Sequence, residues 1–230
     1  MKCIAASSLA LFLLSDIHVD IGNLRRDYNS EGLSLEQLNE NPIQQFDDWF
    51  KQAQQTDIKD PSAMSLATAN QAGEIGIRTV LLKIYDEQGF VFFTNYGSNK
   101  ARHITENPHV ALLFPWLDQS RQVIITGKAN RISSAESLRY FVTRPRGSQL
   151  GAWVSAQSTV ISSRSLLMSK LEEIKQRFAD GDISLPEFWG GYRVKPQAIE
   201  FWQGCPDRLH DRFKYTLQDN NHWVINQLAP

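Results

Sequence analysis

"MSLATANQAGEIGIRTVLLKIYDEQGFVFFTN", residues 64–95, decides the fold. Its three β-rich runs, "MSLATA", "IGIRTVLLKIY" and "FVFFTN", are separated by the turn-forming stretches "NQAGE" and "DEQG". Connections that short join neighbouring antiparallel strands, so the segment reads as a meander. Upstream, "PIQQFDDWFKQAQQT" from Pro42 places Phe46, Trp49, Phe50 and Ala53 on one helical face, with proline at a tolerated first-turn position.

Downstream, "VALLF" (110–114) and "RQVIITGKANRI" (121–132) extend the sheet across a loop expected to hold Pro115 and Trp116. Ser133 with Glu136 has capping-box spacing and opens a helix through Leu138, Phe141 and Val142. A second helix is signalled by Leu167, Leu171, Ile174 and Phe178 and ends at Gly181; the tail returns to strand in "YRVKPQAIEFW", "RFKYTL" and "HWVIN". Mostly antiparallel strands with helices inserted late predict an α+β fold on a small β-barrel, one domain over residues 24–230. The strand–helix alternation of a parallel sheet and the Gly-rich dinucleotide fingerprint are both missing.

A chain of 230 residues buries roughly 70% of its unfolded surface and needs no metal or disulfide staples. A formal net charge of −1 argues against general attraction to nucleic acid or anionic membrane, so any anion site must be local. Cys3 and Cys205 make no disulfide framework and no Cys/His spacing resembles a zinc site, which suits a cytoplasmic setting without metal. "MKCIAASSLALFLL" at the start is too short to span a bilayer and lacks a cleavage pattern; residues 1–23 are expected to be a disordered extension or to precede the true start.

Four basic clusters stand out: Arg78 with Lys83, Lys100, Arg144 with Arg146, and Arg208 with Arg212. Taken singly, each reads as a solvated surface group. Arg78 and Lys83, however, bracket the apolar run Val80, Leu81, Leu82 in a strand, where buried charge is costly without a partner such as phosphate. Strand periodicity places residues five apart on opposite faces unless a bulge intervenes, so this pairing alone leaves open whether both reach one ligand. "RPRGSQ" joins guanidinium groups to Ser148 and a flexible Gly147, suited to forked contacts on phosphate oxygens.

Together "RTVLLK", "FFTNYGSNKA", "LLFPW", "RQV", "RPRGSQLGAWVSAQS", "EFWGGYR" and "EFWQGCPDRLHDR" closely resemble, in order and spacing, the pyridoxamine 5′-phosphate oxidase family, from about Leu24 to Pro230. The resemblance implies a split β-barrel homodimer with flavin mononucleotide (FMN) at the subunit interface. It also implies oxidation of pyridoxine 5′-phosphate and pyridoxamine 5′-phosphate to pyridoxal 5′-phosphate, with oxygen as acceptor, hydrogen peroxide as product, and ammonia from the amine. By position it implies Arg78, Lys83, Phe93, Thr94, Lys100, Gln122, Gln157, Ser158, Trp202 and Arg212 as flavin contacts. Lys83, Tyr140, Arg144 and Ser148 become the substrate-phosphate cradle, Arg208 and His210 the pair over the pyridine ring, and Arg25 and Tyr28 of "RRDY" part of a closing segment.

Guanidinium stays protonated at neutral pH, so Arg208 is expected to orient substrate and stabilise negative charge, and His210 to play a polar or proton-handling part. In two places the chain departs from the family pattern. Asn99 stands where an arginine is usual, which predicts weaker flavin retention unless a neighbouring base compensates, and Cys205 stands where glycine is usual and is assigned no role. The alternatives are another split-barrel flavin oxidoreductase, or a non-catalytic carrier of pyridoxal 5′-phosphate. Neither DNA nor membrane binding is expected.

Overall fold

A computed structural model describes residues 21–24, 27–28 and 30–230. Helix α1 (Pro42–Gln54) is capped by Asn41, whose side chain accepts the Ile43 amide at 2.8 Å, and it buries Ile43, Phe46, Trp49, Phe50 and Ala53. The meander follows as β1 (Ala63–Ala69), β2 (Ile75–Leu81), β3 (Ile84–Asp86) and β4 (Gly89–Asn95). After it come α2 (Asn99–Glu106), β5 (His109–Trp116), β6 (Arg121–Arg131), α3 (Ser134–Thr143), α4 (Arg146–Val154) and α5 (Arg164–Arg177). The chain closes with β7 (Trp189–Gln203), β8 (Asp211–Leu217) and β9 (Trp223–Leu228).

Every strand pairing among the described residues is antiparallel, and the main path runs β2-β1-β5-β6-β7-β4-β3. β2 and β3 therefore lie at opposite ends of the path, yet only Leu82 and Lys83 separate them in sequence. Two residues span only about 7 Å, so the sheet must curl until its ends meet. The backbone records the hand-over: the Leu82 amide still donates to Ser62 beside β1 at 2.9 Å, and the Lys83 amide donates to Val91 of β4 at 2.9 Å.

β7 holds the curl together. One edge pairs with β6 over Tyr192–Gln203, while the other serves β4 over Trp189–Val194 and β8 over Ala198–Gln203. Between these halves the register with β6 shifts at Thr126/Gly127, where Gln197 is the extra residue of a bulge that bends the strand. Gly127 sits against the Lys195 carbonyl so closely that a Cβ there would collide with backbone.

Within the curl, Phe46 is fully buried among Phe50, Tyr85, Phe90, Phe114 and Trp116. A second apolar cluster, with Phe141, Leu150, Ile174 and Trp189, ties α3, α4 and α5 to the start of β7. Arg193, nearly buried on β7, anchors the β3–β4 turn through Asp86 and helix α3 through Glu136.

The structure corrects several expectations. Pro115 and Trp116 belong to β5, not to a loop; Pro115 lies past the last residue of β5 paired with β1, so its missing N–H breaks no ladder bond there. Trp116 is buried, its indole donating to Pro61 at 3.0 Å. Helices α2 and α4 were not anticipated, being only 8 and 9 residues long, and Gly147 lies in the first turn of α4, not in a flexible link. In α3, Phe141 faces inward whereas Leu138 and Val142 remain exposed. Residues 1–20 and Arg25, for which an extension and a substrate contact were expected, lie outside the described residues. No helix of the described residues is long and apolar enough to cross a membrane.

Replacing Phe46 by alanine should destabilise the fold by about 3–5 kcal/mol, because it opens a cavity that five surrounding rings cannot fill. Urea unfolding measures this; a loss below about 1 kcal/mol would mean that the α1 face does not form the core described.

Candidate active site

A cavity of about 800 Å³ opens where β2, β4, α2, α3 and α4 converge. Arg78, Lys83, Lys100 and Arg144 all line it, and no Asp or Glu does. The interruption of the strand at Leu82 and Lys83 answers the periodicity problem: residues that a continuous β-strand would send to opposite faces reach the same space.

Arg78, Lys100 and Arg144 are held by neutral groups. Arg78, on the inner side of β2, donates from Nη1 to Thr68 Oγ1 at 2.7 Å and to the Leu66 carbonyl at 3.2 Å, and burial lowers its pKa. Lys100, in the first turn of α2, is only 7% exposed. Its Nζ donates to Thr94 Oγ1 and Gln157 Oε1, both at 3.2 Å, and burial followed by the Arg78 charge pushes its pKa down to about 8. Arg144 follows α3 directly; its guanidinium lies 4.6 Å from the centre of the Trp189 ring, and burial holds its pKa down. Its buried Nη1 has no hydrogen-bond acceptor. None of the four forms an ion pair with a carboxylate among the described residues.

The remaining walls are aromatic and polar. Phe93 on β4, Tyr140 of α3 and Trp189 of β7 lie with their rings nearly parallel, Phe93 being 4.0 Å from Tyr140 and 5.3 Å from Trp189, and Tyr140 6.3 Å from Trp189 between centroids. The loop after α4 is drawn in by Asn95, whose amide donates to the Ser155 carbonyl at 2.8 Å, and by Ser158, whose hydroxyl accepts the Asn99 amide at 3.2 Å. Gln157, Ser158 and Ser148 thereby reach the cavity. Asn99 accepts a hydrogen bond from the Arg102 guanidinium, so a base one turn along α2 stands beside the position where an arginine was expected. Asn95 and Trp189 were missed as lining residues; Trp189 lies within the quoted "EFWGGYR", and Asn95 carried no signal beyond its place after a strand.

A second group of expected residues gathers elsewhere in the chain. Trp202 on β7 pairs in register with Gln122 of β6 and Arg212 of β8. The His210 ring lies 4.6 Å from Trp202, and Tyr28 meets both edge-on at 5.8 Å from Trp202 and 5.2 Å from His210. Tyr28 rests on Gly204, where a Cβ would strike its ring. Arg212 is bound to Glu200 at 2.8 Å and donates to the Ala229 carbonyl at 2.9 Å. Arg208 is exposed and follows Asp207 in left-handed backbone, φ 61° and 54°, a conformation that costs on the order of 1 kcal/mol or more for each non-glycine residue. The segment carrying Tyr28 is secured by Ser30 Oγ to the Gly204 carbonyl at 2.5 Å and by the Leu33 amide to Asp211 at 2.8 Å. Within one chain none of Tyr28, Gln122, Trp202, Arg208, His210 or Arg212 lines the large cavity. Arg146, flagged with Arg144, turns away and donates to the Phe178 and Gly181 carbonyls after α5. Among the described residues no group of three or more His, Cys, Asp or Glu side chains is placed to hold a metal ion.

Comparison with known proteins matches residues 50–178 to the family described as pyridoxamine 5′-phosphate oxidase, and residues 189–230 to the pyridoxine 5′-phosphate oxidase C-terminal dimerisation region. The pyridoxine/pyridoxamine 5′-phosphate oxidase of Rippkaea orientalis is 63% identical over 212 residues, covering 92% of this chain and all of the relative. That of Aliarcobacter butzleri is 57% identical over the same length, covering the same shares. Among solved structures, PhzG of Burkholderia lata in complex with tetrahydrophenazine-1-carboxylic acid superposes with a TM-score of 0.81 at 28% identity, covering 88% of this chain and all of that one. A pyridoxamine 5′-phosphate oxidase-related, FMN-binding protein of Nostoc punctiforme shares the fold, with a TM-score of 0.67 at 15% identity over 84% of this chain and all of that one. The curled antiparallel sheet is thus a split barrel, and the chain belongs to the pyridoxamine 5′-phosphate oxidase family.

Proposed function

We propose that this protein is an FMN-dependent oxidase that converts pyridoxine 5′-phosphate and pyridoxamine 5′-phosphate to pyridoxal 5′-phosphate, with oxygen as acceptor and hydrogen peroxide as product. The amine substrate additionally yields ammonia. The observation that carries the reading is the cavity's four cations without acidic partners, one of them with a buried N–H that lacks an acceptor. Such a donor set fits phosphate oxygens, and its spread over two walls fits two phosphates, one of the cofactor and one of the substrate. The names of relatives more than half identical over nearly the whole chain support the same substrates.

In this reading Arg78, Lys83, Lys100, Thr94, Gln157 and Ser158 hold FMN, with Phe93 against it, while Arg144, Ser148 and Tyr140, together with Lys83, take the substrate phosphate. When bound, FMN supplies a two-electron acceptor that oxygen regenerates. The Phe93–Tyr140–Trp189 stack keeps water from that side and fixes the plane in which an aromatic substrate can lie. Gln122, Trp202 and Arg212 as cofactor contacts, and Tyr28, Arg25, Arg208 and His210 as substrate contacts, require a homodimer in which one copy's C-terminal cluster closes the other copy's cavity. Exposed Ile75 and Ile77 on the outer face of β2 are an apolar surface that a second copy would cover, and the family's dimerisation region spans the cluster itself. Arg208, always protonated, orients the ring and stabilises negative charge developing on it. We read residues 24–230 as one catalytic unit, preceded by an extension and acting in the cytoplasm.

The direct test is to purify the protein, record its visible spectrum and assay peroxide formation with both B6 phosphates. A flavin spectrum with turnover of at least one substrate is expected; a colourless protein that refuses added FMN and leaves both substrates untouched contradicts the proposal. Arg144→Met should raise KM for pyridoxine 5′-phosphate by about ten- to a hundredfold, the worth of a charged hydrogen bond, while FMN affinity changes little. Equal losses in both would place Arg144 on the cofactor.

Lys100 gives a pH dependence. Its pKa without ligand is about 8, and a neighbouring phosphate dianion raises it, so FMN binding above pH 8 takes up a proton. The FMN dissociation constant, followed by flavin fluorescence, should therefore rise between about pH 7 and about pH 9, a range in which the phosphate itself stays dianionic with its second pKa near 6. Lys100→Met should bind more weakly and without that slope; a wild-type constant independent of pH would contradict the assignment.

A further inference from the structure

The turn between β7 and β8 contains a hydrogen bond whose direction is fixed by chemistry alone. The Cys205 backbone amide donates to Nδ1 of His210 at 3.1 Å. A peptide N–H can only donate, so Nδ1 must present its lone pair, and a neutral imidazole then carries its single hydrogen on Nε2.

The backbone makes this contact unavoidable. Pro206 opens the turn, Asp207 and Arg208 follow in left-handed conformation, and the Leu209 amide returns to the Pro206 carbonyl at 3.1 Å, folding residue 210 back over residue 205. Trp202 and Tyr28 pack against the ring from two sides. Turning the imidazole over would set a carbon against the amide of Cys205, a buried residue, and leave that donor without an acceptor. Asp211, the adjacent carboxylate, is occupied by the Leu33 amide at 2.8 Å and the Cys205 thiol at 3.2 Å.

We propose that the Cys205 backbone amide holds His210 as the Nε2–H tautomer, so that the ring meets the substrate as a hydrogen-bond donor and not as a base. This rests on the oxidase reading above and narrows it. Accepting a proton at Nε2 requires the other tautomer, in which two N–H groups face each other across 3.1 Å. Because Arg208 is also a donor only, the turn selects a substrate ring that presents an acceptor, such as an ionised hydroxyl, and the proton released in oxidation leaves by another route. Cys205 acts here through its main chain, which explains why no thiol chemistry is needed at that position.

The test uses the FMN-bound protein labelled with 15N in its five histidines, the His210 signals being identified by their loss in His210→Gln. Two-bond nitrogen–proton correlations should show a protonated Nε2 and a bare Nδ1 at His210; the reverse pattern overturns the proposal. In kinetics, His210→Gln, which keeps a donor but cannot serve as a base, should lower kcat/KM by no more than about tenfold, and His210→Leu by about a hundredfold. Equal losses in the two variants would restore the base role. Failure of the wild-type protein to oxidise either B6 phosphate would sink the oxidase reading, whereas the tautomer is decided by the spectrum alone.

Discussion

Arg78, Lys83, Lys100 and Arg144 face one cavity from four separate places in the chain, and none is paired with a carboxylate among the described residues. Placing cations in a partly desolvated space is unfavourable: burial depresses the pKa of Lys100, Arg78 and Arg144, with the Arg78 charge adding to the effect on Lys100, and a buried guanidinium N–H is left without an acceptor. Arg193, by contrast, is paired with Asp86 and Glu136. In the proposed function the cavity is a place where stability is given up until an anion arrives.

The fold produces this concentration by bending one sheet on itself. The two-residue step from β2 to β3 forces opposite ends of the strand order together, bringing Arg78 and Lys83 to the same space as Phe93 and Thr94 of β4. The bulge in β7 has the complementary effect: its first half, with Trp189, builds the cavity wall, and its second half carries Trp202 toward β8 and the His210 turn. One strand thus serves both groups of candidate site residues, and in the proposed homodimer pairing two copies is what would reunite them.

Much of this was legible in the residues. The meander, the α1 face and the capping box at Ser133 each rest on local signals, and each is present where expected. Helices α2 and α4 were not, because their stability comes from contacts that local periodicity does not encode: Ser158 receiving the first amide of α2, and Leu150, Ala152 and Val154 of α4 packing into the second core. The identities of the site residues came through a resemblance of motifs. What brings ten of them together is long-range pairing: Gln157 meets Thr94 and Lys100 across some sixty residues of sequence, a contact no spacing rule could supply. The His210 hydrogen bond was likewise invisible, since it depends on two left-handed residues without a glycine between them.

If the cavity's cations are arranged for two phosphate groups, a crystal structure of the protein grown with FMN and pyridoxal 5′-phosphate should show one phosphate beside Arg78 and Lys100, and the other against Arg144 and Ser148, within the same cavity. Phosphates bound elsewhere on the molecule, with these side chains left facing water, would contradict it.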